Sequence, residues 1–275
     1  MKLSCCSWAL DEGRGPMRIW RRFRGRRVSE AKNLKQLAEL GFKTVDVCPT
    51  MQKSPEAQSA LKKLNLEVAC VSISHEAPKG STFDSENPQR VDPLVHHTNA
   101  AVDHGAEIGA GWTYVVPGPQ VDDRTTAHYG ERYSALAEHA QGRGVKLCIE
   151  HFPGSAFPTV AATLDFIKDI NHPNLYLLFD IGHAQMTNED PAEVLPRAGD
   201  RLAYVHLDDN DGVGDLHLAL TDGVQTQESL EALFRVLEDV GYDGPVSLEM
   251  KQTLPDPLDA IRRSKKIVEK FIDLE

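Results

Sequence analysis

Strand-like apolar runs alternate with helix-like segments along nearly the whole chain, and this alternation most constrains its fold. Eight runs are typical of strands: residues 2–10, 43–49, 66–74, 112–118, 145–151, 174–183, 201–210 and 245–251. Helical spacing of apolar residues follows each run, at residues 29–42, 55–65, 93–109, 124–144, 159–171, 191–199, 226–241 and 256–272. The pattern predicts eight consecutive βα units.

The composition of the strands indicates how these units assemble. Runs such as VACVSI and LYLLFD are apolar at successive positions, which is typical of strands that are buried on both faces in a parallel sheet wrapped by helices. Eight βα units in 275 residues match the size of a (β/α)8 TIM barrel. We therefore predict an α/β protein with one barrel domain over residues 1–275. A doubly wound open sheet is the alternative, but GxGxxG and GxxxxGK[ST] are absent, so its nucleotide-binding forms lack their usual motifs.

The net charge of −11 disfavours broad nucleic-acid binding, which requires a positive contact surface. The exception is the arginine-rich segment, residues 14–27, which carries seven arginines around Trp20 and Phe23. It follows the first strand and is expected at the mouth of a barrel. A solvated loop, a lid that binds a substrate phosphate and a subunit contact all remain open for it, and the sequence leaves homo-oligomerisation open as well.

The sequence also predicts a compartment. It contains neither a stretch of 18 apolar residues nor a long apolar N-terminal region, so we expect no membrane span, no membrane partner and no secretory signal. Three of the five cysteines lie in strand-like apolar runs. Buried, unpaired cysteines are typical of reduced thiols, so we expect a cytoplasmic protein.

Polar side chains gather where the predicted strands end, and in a TIM barrel those ends carry the chemistry. Strand 4 instead ends in Val-Pro-Gly. The polar residues at the other strand ends are His75 after strand 3, Glu150 and His151 on strand 5, Asp180 and His183 on strand 6, His206, Asp208 and Asp209 on strand 7, and Glu249 on strand 8.

Four of these residues occupy matching positions on consecutive strands: Glu150, Asp180, His206 and Glu249. Taken singly, each has a simpler explanation as a helix cap, a surface ion pair or a core histidine. In register, closure of the barrel would direct three carboxylates and one imidazole at a single point, where they repel unless a cation lies between them. The set predicts a divalent metal site, with Mn²⁺ as the best match and Mg²⁺, Co²⁺ or Zn²⁺ as alternatives.

The motifs IEHFP, FDIGH, YVHLDDN and SLEMK resemble the strand-5 to strand-8 motifs of the xylose isomerase-like TIM barrels. This superfamily includes sugar-phosphate and keto-sugar isomerases and epimerases, inosose dehydratases and type 2 AP endonucleases. The resemblance implies that Glu150, Asp180, His206 and Glu249 hold one metal and that the two glutamates form the acid/base pair. It also implies that His183 contacts a substrate oxygen.

The implied activity is a metal-dependent isomerase or epimerase that acts on a sugar, keto-sugar or sugar phosphate. The metal would stabilise an enediolate, while one glutamate removes a proton and the other returns it. A dehydratase or lyase acting on a keto-sugar or inosose is the alternative, since elimination starts from the same intermediate. A barrel that binds metal or sugar without turnover is disfavoured by the presence of both glutamates.

The loop after strand 7 departs from the epimerase pattern, because it has no arginine after His206. It carries instead Asp215-Leu216-His217, a D-x-H pair that is similar to third-metal ligands of the AP endonucleases. A second metal at His183, Asp215 and His217 is therefore an open possibility. The endonuclease activity itself is disfavoured, because strand 4 lacks the required histidine and the chain is acidic. The candidates for substrate binding are His183, His217, His75 and Trp8.

Overall fold

The structure is a computed structural model. It describes residues 1–11, 30–49, 51, 54–74, 76–120, 122 and 124–272. The arginine-rich segment and His75 lie outside these residues.

Eight parallel strands form one sheet in the order β1-β8-β7-β6-β5-β4-β3-β2. They are β1 (Lys2–Cys5), β2 (Thr44–Val47), β3 (Glu67–Ser72), β4 (Trp112–Val115), β5 (Lys146–Glu150), β6 (Leu175–Asp180), β7 (Leu202–Leu207) and β8 (Pro245–Leu248). A single parallel bridge between Cys6 and Asp46 spans the gap between β1 and β2. The barrel is thus nearly closed, which confirms the (β/α)8 TIM barrel and shows that the open-sheet alternative is wrong.

Helices connect successive strands around this barrel. They are α1 (Glu30–Glu39), α2 (Pro55–Leu64), α3 (Pro88–Glu107), α4 (Thr125–Gly142), α5 (Val160–Ile170), α6 (Ile181–Thr187), α7 (Pro191–Ala198), α8 (Gln227–Asp239) and α9 (Pro257–Val268). Short 3₁₀ helices lie at Ser7–Leu10 and Gly199–Arg201. Among the described helices, none is both long and apolar enough to cross a membrane.

Both faces of the strands are buried, as their apolar composition predicts. On β6, Leu175, Leu177 and Phe179 belong to the large core that packs against the helices. Leu178 belongs instead to a separate small cluster that includes Tyr114, Cys148 and Tyr204. Because successive strand residues point to opposite faces, this small cluster fills the barrel interior. The residues above it along the same inward-facing rows form the floor of the mouth.

Helix α3 begins five residues before its predicted start at Pro93. Asn87 caps it by accepting a hydrogen bond from the backbone N–H of Gln89, and Pro88 occupies its first turn. Such a capped start is favoured because the first turn has unpaired N–H groups. The predicted start, Pro93, lies inside the helix.

Strand β6 ends at Asp180, whereas the sequence predicted that it would continue to His183. The chain turns there into α6, and the side chain of Asp180 caps this helix by accepting from the backbone N–H of His183. The apolar residue Ile181 prolongs the strand-like run in the sequence and conceals the start of the helix. The turn lifts His183 over the mouth of the barrel.

Candidate functional site

Strands β5 to β8 bring four polar side chains together at the mouth of the barrel. One ligand atom from each of Glu150, Asp180, His206 and Glu249 lies within 4.8 Å of the others, and all four residues are buried. We call this set the four-residue cluster. Glu150, Asp180 and His206 lie in the strands themselves, and Glu249 follows the last residue of β8.

His206 lies at the centre of the four-residue cluster. Its Nδ1 is 2.9 Å from Oε2 of Glu249, 3.1 Å from Oε1 of Glu150 and 3.8 Å from Oδ2 of Asp180. Burial lowers the pKa of this imidazole, but Glu249 and Glu150 outweigh burial and raise it well above its usual range. Without a metal, a proton on Nδ1 supplies the positive charge that the carboxylates require.

Asp180 is both the cap of α6 and a member of the four-residue cluster. Its Oδ1 accepts the helix N–H, 2.8 Å from the nitrogen of His183. Its Oδ2 is buried and has no hydrogen-bond partner among the described residues. Burial and the neighbouring Asp208 raise the pKa of Asp180 to about 8. The capping explanation and the ligand explanation are therefore compatible, since each uses a different oxygen.

Aromatic side chains from the first half of the chain complete the wall of the site. Trp8, in the 3₁₀ helix after β1, donates its indole N–H to Oε1 of Glu249 at 3.2 Å. The ring of Tyr114 meets the ring of His206 edge to face, with centroids 5.2 Å apart. The cavity of about 210 Å³ above the cluster is lined by residues that include Trp8, Tyr114, Phe152, His183, His217 and Lys251.

A second polar group, His183, Asp215 and His217, lies next to the first, with ligand atoms within 4.8 Å of one another. Nε2 of His217 is 2.8 Å and Nε2 of His183 is 3.6 Å from Oδ1 of Asp215. Nδ1 of His183 is 3.0 Å from the carbonyl oxygen of His151, so it carries the hydrogen and leaves Nε2 directed at Asp215.

Protonation of this second group follows from its surroundings. Burial lowers the pKa of His183, but Asp180 and Asp215 outweigh burial and raise it to about 10. The pKa of His217 is also raised well above its usual range. Burial lowers this pKa, but the neighbouring carboxylates, chiefly Asp208, outweigh burial. Burial tends to raise the pKa of Asp215, yet hydrogen bonds from both histidines hold it well below its usual range.

The loop after β7 is folded by its own polar residues. Oδ1 of Asn210 accepts from the backbone N–H of His217 at 3.0 Å, and Asp209 accepts from the N–H groups of Gly223 and Gln225. Asp209 thus anchors the loop and does not face the site. His217 has a left-handed backbone with φ of 43°, a conformation that costs free energy and is common at functional sites.

Asp208 links this loop to α6. Its Oδ1 accepts from the N–H of Gly182 at 3.0 Å, and its Oδ2 is 2.8 Å from Nδ1 of His217. A Cβ at Gly182 would lie 2.3 Å from Oδ1 of Asp208 and 2.4 Å from Nδ2 of Asn210. Glycine is therefore required at position 182 because the two loops meet there.

His151 does not face the cavity, although it lies at the end of β5. Its Nε2 accepts from the backbone N–H of Asp180 at 3.2 Å. Burial and the nearby His183 lower the pKa of His151 to about 3, so the ring is neutral and supports the strand ends. His75 and the arginine-rich segment, for which site roles were predicted, lie outside the described residues.

Several site residues were not predicted from the sequence. The two-residue periodicity of a strand would have identified two of them. Lys251 follows Glu249 by two residues, the spacing that places strand residues on one face, and its Nζ donates to the carbonyl oxygen of Asp215 at 2.7 Å. Tyr114 lies on the inward face of β4 for the same reason. Asp46 is recognisable only once the barrel is closed, and the sequence placed Asp208 at the end of strand 7 without its contacts to Gly182 and His217.

The four-residue cluster fits a divalent cation on the chemistry of its donors. Three carboxylates and one imidazole nitrogen meet in a buried space, and Oδ2 of Asp180 has no described hydrogen-bond partner there. Oxygen-rich ligands with one imidazole nitrogen suit Mn²⁺ and related divalent ions. His183, Asp215 and His217 form a smaller set that could hold a second ion.

Comparisons with known proteins identify a family for this fold. The sequence model of a family described as xylose isomerase-like TIM barrel matches residues 34–271. An inosose dehydratase of Clostridium perfringens is 32% identical over 158 residues, 51% of this chain and 53% of that protein. A ketose 3-epimerase of Arthrobacter globiformis is 25% identical over 228 residues, 79% of this chain and 76% of that protein.

The match to the inosose dehydratase is partial. The chain spans about half the length, 47 to 53%, of the curated relatives that it matches at 32 to 35% identity. Among solved structures, a D-allulose 3-epimerase from Methylomonas sp. superposes with a TM-score of 0.79 at 18% identity, covering 99% of this chain and 98% of that one. At this identity the likeness concerns the fold alone.

Proposed function

The chain belongs to the xylose isomerase-like TIM barrel family, and we propose that it is a divalent-metal-dependent isomerase or epimerase of a sugar, keto-sugar or sugar phosphate. One observation carries the proposal: Glu150 and Glu249 both approach Nδ1 of His206 in a buried cluster that also contains Asp180. The relatives named as ketose 3-epimerase and inosose dehydratase support an activity on sugars.

The metal of this proposal is Mn²⁺, held by Glu150, Asp180, His206 and Glu249. When bound, the cation would supply Lewis-acid stabilisation of the negative charge that develops on neighbouring substrate oxygens. The remaining chemistry belongs to the side chains. Glu150 is the last residue of β5 and Glu249 follows β8, so the two would face a substrate in the cavity from two sides.

Proton transfer is the task of the two glutamates. One removes the proton from the carbon next to the substrate carbonyl, and the other returns a proton to the opposite face, which inverts that carbon. Return to the neighbouring carbon gives isomerisation instead. The indole N–H of Trp8 holds Oε1 of Glu249, which orients this carboxylate. His183 and His217, which line the cavity, would contact substrate oxygens.

A dehydratase or lyase on the same site is the second candidate, and a specific observation favours it. Loss of a β-hydroxyl requires a proton donor near the leaving oxygen. His183 and His217 lie above the glutamates, and their raised pKa values keep them protonated at neutral pH. A second metal at His183, Asp215 and His217 would displace these protons and remove this proton donor.

The test is solvent exchange. The full chain is loaded with Mn²⁺ and incubated in D₂O with a panel of ketoses, their phosphates and inososes, and proton NMR follows the carbon-bound protons. We expect metal-dependent deuterium incorporation next to the carbonyl of one substrate. Loss of water from that substrate would identify the dehydratase, whereas turnover without exchange would contradict the proton-transfer mechanism. Glu150→Gln is the matched inactive control.

A further inference from the structure

A buried carboxylate lies inside the barrel beneath the four-residue cluster. Asp46, on β2, is completely buried. Its Oδ1 accepts hydrogen bonds from Ser4 and from the hydroxyl of Tyr204, both at 2.7 Å. The thiol of Cys6 donates to its Oδ2 at 3.6 Å. Since β2 and β7 are not neighbours in the sheet, the bond to Tyr204 crosses the barrel interior.

Asp46 lies close to His206 through this crossing. Tyr204 and His206 are two residues apart on β7 and so share its inward face. A ring nitrogen of His206, an oxygen of Asp46 and Sγ of Cys6 lie within 4.8 Å of one another. Nδ1 of His206 faces Glu150 and Glu249, and Nε2 is buried with no hydrogen-bond partner in the part of the chain that the structure describes. Nε2 is thus the nitrogen left to face Asp46.

A carboxylate at this place is costly unless it has a task. Burying an ionised group costs free energy even when it is hydrogen-bonded; burial raises the pKa of Asp46, and its hydrogen bonds and the nearby His206 oppose that rise. Besides two acceptor oxygens for Ser4, Tyr204 and Cys6, the carboxylate provides negative charge on the side of the imidazole away from the metal cluster. Histidines that ligate metals characteristically use such a partner to fix the tautomer and the ring orientation.

We propose that Asp46 is a positioning residue for His206: its negative charge keeps the hydrogen on Nε2, so that the Nδ1 lone pair is presented to the divalent cation. The inference rests on the proposed function, because it requires His206 to be a metal ligand. Asp46 itself touches neither the cation nor the substrate. Its contribution is to metal affinity, transmitted through the imidazole.

The test is Asp46→Asn in the full chain. The amide keeps the shape and an acceptor for Ser4 and Tyr204, and it removes the charge. We measure the Mn²⁺ dissociation constant by titration calorimetry and the melting temperature of the metal-free protein. We expect about 10–100-fold weaker Mn²⁺ binding, with a melting temperature that is unchanged or higher because a buried charge is gone.

Thr113→Val is the matched control. Thr113 is also buried in the barrel wall, where its hydroxyl donates to the carbonyl oxygen of Val71 at 2.7 Å, away from His206. We expect this variant to lower the melting temperature and to leave the Mn²⁺ dissociation constant unchanged. The two variants thus separate a loss of metal affinity from a loss of stability.

Three results would overturn the inference. If Asp46→Asn binds Mn²⁺ as tightly as the wild type, Asp46 is a structural residue and the proposed function is untouched. If Asp46→Asn abolishes the binding of a second Mn²⁺ ion and leaves the binding of the first unchanged, Cys6, Asp46 and His206 form a metal site of their own. A wild type that binds no Mn²⁺ would overturn the inference and the proposed function together.

Discussion

The two halves of the barrel contribute to the mouth in different ways. Strands β5 to β8 carry the carboxylates and the imidazole of the four-residue cluster at or next to their last residues. By contrast, β2 and β4 end in Val47 and Val115, and β3 ends in Ser72. One half therefore supplies charged groups that suit a metal and proton transfer, and the other supplies aromatic walls and support.

The first half nevertheless contacts the charged groups of the second. The indole N–H of Trp8 reaches Glu249, the ring of Tyr114 packs against the ring of His206, and Asp46 lies beneath the same histidine. The comparison teaches that ligand-type residues mark only part of a barrel-mouth site. Residues that orient them come from strands whose ends look ordinary.

The largest expected effect comes from the charged half. Glu150→Gln and Glu249→Gln keep the side-chain shape but remove the proton acceptor. We expect each to lower kcat by about 10²–10⁴-fold, the usual contribution of a general acid or base, as measured on the substrate that the exchange screen identifies. Glu193→Gln, on α7 away from the mouth, is the control and should retain activity. Full activity of either site variant would assign the proton transfer elsewhere.

The next largest effect is expected at the contact between α6 and the loop after β7. In Gly182→Ala, the new methyl group would collide with Asp208 and Asn210. We expect the free energy of unfolding to fall by about 1–3 kcal/mol, the cost of overpacking, and activity to fall because His183 moves. Gly111→Ala is the control, since no described atom lies within 4 Å of its Cβ position. Equal stability of the two variants in urea denaturation would show that the contact at Gly182 is loose.

Trp8→Phe tests whether the supporting half of the barrel contributes to catalysis. The ring is kept and the N–H donor to Glu249 is lost, so the carboxylate is less well oriented. We expect kcat to fall about tenfold, in line with the loss of one hydrogen bond to a charged group. Trp112→Phe provides the comparison, because its indole nitrogen is buried without a hydrogen-bond partner in the described structure. If both tryptophan variants behave alike, the Trp8 contact has no catalytic consequence.

The smallest effect is a dependence of metal stabilisation on pH. Asp180 and His183 have pKa values raised to about 8 and about 10. The metal-free fold therefore binds protons that the unfolded chain has released, and its stability falls as pH rises through this range. A bound cation replaces those protons. We expect the gain in melting temperature on adding Mn²⁺ to grow between pH 6 and pH 8.5, and a gain that shrinks would contradict these protonation states.

The sequence predicted the barrel because each βα unit repeats the same local signals, and it predicted the polar strand ends because these residues directly end each apolar run. The left-handed backbone of His217 and the meeting of Asp208 with Gly182 depend on how separate loops pack. Asp46 resembles an ordinary polar interruption of a strand until the barrel closes around it. The single-domain organisation, the cytoplasmic location and the oligomeric state stay predictions.

The central claim is that the four-residue cluster binds a divalent cation, and metal titration tests it most directly. The full chain, stripped with a chelator and titrated calorimetrically with Mn²⁺, is compared with Asp180→Ala and with Asp259→Ala, a surface variant on α9. We expect one tightly bound Mn²⁺ in the wild type and in Asp259→Ala, and loss of this binding in Asp180→Ala. Equal Mn²⁺ binding by all three proteins would contradict it.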